Sequence, residues 1–228
     1  MNAGPEALIL FDCDGTLVDS HAAITDAMQH AFTNCGLTAP PTAAVAEIIG
    51  LSLAEAVAHL APGDEKNHED IITSFCRRYI AGEASLQLYP NVRKTLLDLR
   101  QRGYWLGVVT GKSLTGLLRV LQGFDLEDMF YVLRTADCCP SKPHPAMVLE
   151  SMQEMGVQPN RTTVVGDAVV DIRMAVSAQV EALGVSFGTP MHSELMQAGA
   201  RAVVNDFTSL LEHFPPLQEA GASSTMSA

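Results

Sequence analysis

Asp12 and Asp14 stand one residue apart where the apolar run Leu8-Ile9-Leu10-Phe11 breaks off, and they open a set of polar residues whose types suit a phosphoryl group. A second apolar run, Val108-Val109, gives way to Thr110-Gly111-Lys112-Ser113, and a third, Thr163-Val164-Val165, to Gly166-Asp167 with Asp171 close behind. Alternation along an extended backbone sends Asp12 and Asp14 to one side and Cys13 to the other. Two carboxylates held that close repel unless a cation or a shared proton intervenes. Mg²⁺, which prefers carboxylate and carbonyl oxygens together with substrate phosphate, answers that need. Hydroxyl, amide and lysine donors at the other breaks match the charge that a transferring phosphoryl group spreads over its oxygens.

These groups meet only if the runs are neighbouring strands. Short apolar runs rich in β-branched residues read as buried strands, and helical patterns between them imply right-handed crossovers in a parallel sheet. Ligands then bind beyond the carboxyl ends of the strands, where all three polar breaks fall. From His21 to Gly82 no strand-like run occurs; Ile24, Met28, Ala31, Phe32 and Cys35, then Leu53, Val57 and Leu60, then Ile71, Phe75 and Tyr79 keep helical spacing. The chain returns at Tyr89-Pro90-Asn91, with Asn91 expected to cap a helix through Leu99. Strands are expected at 105–109, 131–133, 163–165, 182–185 and 202–204, with helices ending at Gly103, Gly123, Gly156 and Gly199. The fold class is therefore α/β, a doubly wound parallel sheet carrying a helical insertion.

Asp12-Cys13-Asp14-Gly15-Thr16-Leu17-Val18-Asp19, Thr110, Lys142 and Gly166-Asp167 with Asp171 resemble, in order and spacing, the four motifs of the haloacid dehalogenase superfamily. The resemblance runs from about Leu8 to Phe214 and is greatest to phosphoglycolate phosphatase-like members. It implies a Rossmann-like core, residues 1–19 and 89–214, beneath an inserted α-helical cap, residues 20–88, with hinges at Asp19-Ser20 and Leu88-Tyr89-Pro90. Residues 215–228, small, polar and proline-containing, are expected to form a disordered tail.

The resemblance also implies roles. Asp12 is the expected nucleophile, Asp14 the acid and base, and Thr110 and Lys142 complete the catalytic set. Gly15, Thr16, Gly111 and Lys112 are expected at the phosphate. Mg²⁺ is expected on Asp12, the Asp14 backbone carbonyl and Asp167, with Asp171 acting through water or orienting Lys142. A carboxylate attacking phosphorus splits one hard hydrolysis into two easier steps. An acid at position 14 favours phosphate esters, because family members that displace halide or cleave phosphonates lack one there. Two departures from the family pattern stand out: Gly111-Lys112 where many relatives have Asn-Lys or Ser-Ser, and Ala178-Gln179 for a usual Ala-Gly.

Length, charge and cysteines narrow the rest. The 228 residues suit one or two domains with a full core. A net charge of −12 argues against a nucleic-acid partner. Five cysteines without Cys-x-x-Cys spacing argue against disulfides or zinc, and no apolar run approaches the roughly 20 residues of a membrane span. The expectation is a cytoplasmic monomer or homodimer, off the membrane, acting on a small phosphorylated metabolite, phosphoglycolate being the leading one. Arg77 or Arg78 is the expected reader of a substrate carboxylate. His21, His30, His59 and His68 are taken as surface or packing residues. A sugar phosphomutase and a non-catalytic, phosphate-dependent regulatory module are the alternatives.

Overall fold

The computed structural model describes residues 7–187 and 191–217. Among these the strands are β1 (Leu8–Phe11), β2 (Val18–Asp19), β3 (Gln87–Leu88), β4 (Trp105–Val109), β5 (Val132–Arg134), β6 (Thr162–Gly166), β7 (Glu181–Val185) and β8 (Ala202–Val204). Six of them form a parallel sheet in the order β5-β4-β1-β6-β7-β8, while β2 and β3 make a separate antiparallel ribbon. The chain travels from β1 outward through β4 to β5, then crosses back to build β6, β7 and β8 on the other side. That reversal at β1 leaves a crevice at the carboxyl ends of β4, β1 and β6, the three strands that carry the polar breaks.

Alternation along β1 divides its side chains between two cores. Ile9 and Phe11 join one with Leu96, Leu99, Leu117 and Leu121, from helices α5 (Val92–Gln101) and α6 (Leu114–Gly123). Leu8 and Leu10 join the other with Met147, Val148, Ile172, Ala175 and Leu195, from α7 (Ala146–Met155), α8 (Val169–Ser177) and α9 (His192–Ala198). β1 is thus buried on both faces, as a central parallel strand must be.

The insertion is helical throughout. Helices α1 (His21–Asn34), α2 (Thr42–Ile48), α3 (Leu53–Leu60) and α4 (His68–Gly82) lie between β2 and β3. Pairing of Val18 with Leu88 and Asp19 with Gln87 makes the chain enter and leave it at adjacent points. This ribbon, with two residues per strand, is too short to show as a pattern in sequence. Tyr89 then stacks on Phe187 at 4.1 Å, and Phe207 links Phe187 to Phe11 of β1. The exit from the insertion is thereby fastened to the strand that ends in Asp12. Among the described residues no helix is long and apolar enough to cross a membrane.

Two local expectations are corrected. Asn91 precedes α5 in a left-handed conformation, φ 66°, and its side chain makes no capping bond. Residues 215–217 are held to the core: Tyr104 donates to the Pro215 carbonyl, Arg102 to those of Leu211 and Phe214, and the Leu217 N–H bonds to the Arg102 carbonyl. The remainder of the expected tail, 218–228, lies outside the described residues. Gln179, one of the two departures noted from the family pattern, adopts φ 59° just past α8. A side chain with Cβ pays for that left-handed backbone, so Gln179→Gly is expected to raise stability by about 0.5 to 1 kcal/mol, read as a higher urea midpoint at unchanged slope.

Candidate active site

The loop after β1 is built by its own hydrogen bonds. Asp12 N–H continues the ladder to the Val165 carbonyl at 2.9 Å, after which the chain turns and the Cys13 carbonyl accepts from both Leu17 and Val18. Gly15 has φ +82°, and a Cβ there would fall on the Asp167 carboxylate and the His21 ring. Glycine lets Asp167 reach across the loop. Cys13 is fully buried with Ile9 and Phe11, on the opposite side from its acidic neighbours as expected.

Two charged groupings result. In the first, Lys142 is completely buried and its Nζ lies 2.6 Å from both Asp12 Oδ1 and Asp171 Oδ1. Asp171 Oδ2 accepts from the Ala168 N–H in the first turn of α8. Asp167 completes the grouping, receiving Thr16 Oγ1 at 2.7 Å and lying 3.2 Å from His21 Nε2. Carboxylate oxygens of Asp12, Asp167 and Asp171 all fall within 4.8 Å of one another.

Burial governs their titration. It pushes Asp12 up to about 7, opposed by the Lys142 ammonium and reinforced by Asp171. Burial raises Asp167 and Asp171 as well. The same burial works against the charge on Lys142, yet Asp12 and Asp171 together hold its ammonium above the ordinary lysine range. His21 is raised by its hydrogen bond to Asp167.

A divalent cation fits this grouping on two observations. Asp12 Oδ2 is buried with no hydrogen-bond partner, an expensive condition for a carboxylate oxygen. Three carboxylates against one ammonium also leave the cluster short by the charge of one divalent ion. Carboxylate oxygens around a hard cation are the donor set expected for Mg²⁺.

The second grouping surrounds Asp14, whose carboxylate stands apart from the first. Ser20 donates to its Oδ1 at 2.6 Å, and Lys112 Nζ lies 2.9 Å from its Oδ2. Lys112 also donates to the Tyr79 hydroxyl at 3.0 Å and sits over the Tyr79 ring, 4.4 Å from its centroid. Thr110 is buried beside them, its Oγ1 accepting from the Lys112 N–H. A Cβ at Gly111 would run into the Leu51 carbonyl, so glycine lets the loop between α2 and α3 rest directly on this turn. Ser141 Oγ, accepting from the Ser52 N–H at 2.8 Å, ties that loop to the segment carrying Lys142.

Asp12, Asp14, Thr110, Gly111 and Lys112 therefore meet at one cavity, with Lys142, Asp167 and Asp171 behind its floor. Gly15 and Thr16, expected at the phosphate, have partners of their own in the structure. The Gly15 N–H is committed to the Val18 carbonyl and the Thr16 hydroxyl to Asp167. Arg77 and Arg78 are exposed on α4, and Arg78 pairs with Asp26 outside the cavity. His21 is not a packing residue but an Asp167 partner. Tyr79 showed in sequence only as one more residue on a helical stripe; Ser20 showed only as a hinge.

Known proteins resemble this chain over most of its length. The family model described as haloacid dehalogenase-like hydrolase matches residues 9–185. A phosphoglycolate phosphatase of Pasteurella multocida is 33% identical over 216 residues, spanning 90% of this chain and 96% of its own. One from Psychrobacter arcticus is 27% identical over 217 residues, spanning 90% and 94%. A solved structure described as a predicted phosphoglycolate phosphatase, from Haemophilus somnus, superposes with a TM-score of 0.80 at 26% identity, covering 92% of this chain and 99% of that one.

The carboxylate shifts have a sign that can be tested. Groups raised in the fold favour folding fully below the unfolded carboxylate value, about 4, and lose that contribution as pH rises through the folded values, about 7 for Asp12. The thermal midpoint of metal-free protein is expected to fall between about pH 5 and about pH 8, with Asp12→Asn flattening the slope. Mg²⁺ is expected to raise the midpoint more at the upper end than at the lower. Equal midpoints with and without Mg²⁺ at about pH 8 would count against a cation site.

Proposed function

The chain belongs to the haloacid dehalogenase-like hydrolases and is a phosphatase among them, and from that premise we propose that it hydrolyses a small phosphate monoester through an aspartyl-phosphate on Asp12, with Mg²⁺ as cofactor. The observation that carries this reading is the buried Lys142, bonded at 2.6 Å to Asp12 and Asp171 while the other Asp12 oxygen is left without a partner.

In the proposed reaction a carboxylate oxygen of Asp12 bonds to phosphorus as the ester P–O bond breaks. Asp14 gives its proton to the departing alcohol oxygen. Asp14 then takes a proton from water, whose oxygen attacks the same phosphorus, freeing phosphate and restoring the Asp12 carboxylate. Lys142 holds the Asp12 carboxylate in place, and Thr110 and Gly111 offer donors to the phosphoryl oxygens. Asp12, Asp167 and Asp171 would hold Mg²⁺, together with the Asp14 backbone carbonyl. When bound, it supplies positive charge to an otherwise anionic site. Ser20 and Lys112 keep the Asp14 carboxyl group oriented.

Residues 1–19 and 89–214 then serve as the catalytic core and residues 20–88 as a cap. Support for the cap comes from the cavity, whose walls include Met28, Ile48 and Phe75 of the insertion facing Asp12 and Thr110 of the core. Excluding water there strengthens each charge interaction. Phosphoglycolate, named for both relatives, is the first ester to assay.

Two variants test the roles. Asp12→Asn is expected to abolish phosphate release from every ester, and Asp14→Asn to lower kcat by about 10² to 10⁴. Chelation of divalent metal is expected to stop wild-type turnover and added Mg²⁺ to restore it. Retained phosphate release by Asp12→Asn would mean that the nucleophile lies elsewhere.

A further inference from the structure

The cavity above Asp12 and Asp14 has a volume of about 290 Å³, and its walls differ sharply from its floor. The floor is polar: Asp12, Asp14, Thr110 and Lys112. Much of the wall is hydrocarbon from the insertion, with Met28 from α1, Ile48 from α2, Leu51 and Leu53 from the loop and start of α3, and Ile72 and Phe75 from α4, while Cys76, Glu83, Ser113 and Arg119 also line it. A phosphate seated on the floor directs its ester oxygen, and the alcohol beyond it, into these walls.

The cations of the lining are already matched. Arg119 donates to the Glu83 carboxylate from Nε and Nη2, at 2.9 and 3.0 Å, and Lys112 lies 2.9 Å from Asp14. Both acids line the same cavity as their partners. Arg77 and Arg78 face outward on α4. A second anionic group on the substrate, such as the carboxylate of glycolate, would therefore have to break an ion pair or remain desolvated against hydrocarbon, an unfavourable exchange in either case.

Resting on the phosphatase reading above, we infer that the substrate's alcohol is uncharged and largely apolar, a phosphate monoester of an alkyl or aromatic alcohol and not a short anionic acid. The phosphate takes the part of this cavity over Asp12, Asp14 and Thr110, and the alcohol fills the remainder, where it meets mostly hydrocarbon. Each methylene moved from water onto these walls is worth roughly fourfold in specificity.

The test compares primary-alcohol esters of similar leaving-group acidity, so that chemistry is held constant and fit alone varies. Ethyl, butyl, hexyl and 2-phenylethyl phosphate and 2-phosphoglycolate are assayed with Mg²⁺. The expected result is kcat/KM rising along the alkyl series by roughly threefold or fourfold per methylene until the cavity is full, with 2-phenylethyl phosphate exceeding phosphoglycolate by tenfold or more, on the order expected for a matched against a mismatched pocket. Glu83→Gln, which unties Arg119, is expected to raise kcat/KM on phosphoglycolate relative to that on the hexyl ester. A wild-type preference for phosphoglycolate over all neutral esters would overturn the inference while leaving the phosphatase reading intact. Turnover of none of them would overturn the phosphatase reading; binding of hexylphosphonate against phosphonoacetate, followed by thermal midpoint, then decides the pocket preference independently, and tighter phosphonoacetate binding would overturn it.

Discussion

One ammonium, buried without solvent between two carboxylates, is the constraint on which the site depends. Lys142 Nζ touches Asp12 and Asp171 from segments distant in the chain, and its own burial would neutralise it without them. Breaking a buried pair of this kind costs about 3 to 5 kcal/mol, because the surviving partner keeps its desolvation and loses its compensation. The grouping is not self-sufficient, however. Lys142 engages one oxygen of Asp12 and leaves the other bare, and Asp167 adds a further charge that Thr16 and His21 only orient. A surplus of negative charge, held rigidly by satisfied neighbours, is a condition that a bound cation relieves.

The sheet makes such a grouping possible. Because β1 lies between β4 and β6, the residues after each strand are brought to one crevice without any long loop. β1 pairs in parallel with both β4 and β6, so the aspartate following Phe11 emerges beside the residues that follow those strands. The aromatic contacts from Tyr89 through Phe187 and Phe207 to Phe11 then hold the end of the helical insertion against this same strand. Gly111 serves the opposite side, admitting the backbone of Leu51 close to the turn that carries Thr110 and Lys112.

What was legible in the sequence follows from the range of each interaction. Strand and helix positions depend on local periodicity, so β4 and the helix stops at Gly156 and Gly199 appear where the pattern puts them. Asp12, Asp167 and Asp171 were visible because each follows a strand or opens a helix, and Lys142 because it stands where the family resemblance expects a lysine. Partners were not visible. Whether Thr16 faces phosphate or Asp167, and whether Tyr79 merely packs or meets Lys112, is decided by side chains 151 and 33 positions apart. The two-residue ribbon and the anchoring of Pro215 by Tyr104 escaped for the same reason: neither has a local signature, only a long-range partner.

The contrast between polar floor and apolar walls has a consequence for both rate and choice of substrate. Hydrocarbon from the insertion lowers the dielectric around Asp12, Asp14 and Lys112, and charge interactions there grow as water is excluded. The same walls give a charged leaving group nothing to replace its hydration, since Glu83 and Asp14 already occupy the cations nearby. An insertion that served only to exclude water would have no need to pair Arg119, and one built for a small anionic acid would leave it free. Its pairing, beside walls that gain by contact with hydrocarbon, makes the helical segment a selector of the alcohol as well as a cover for the phosphate.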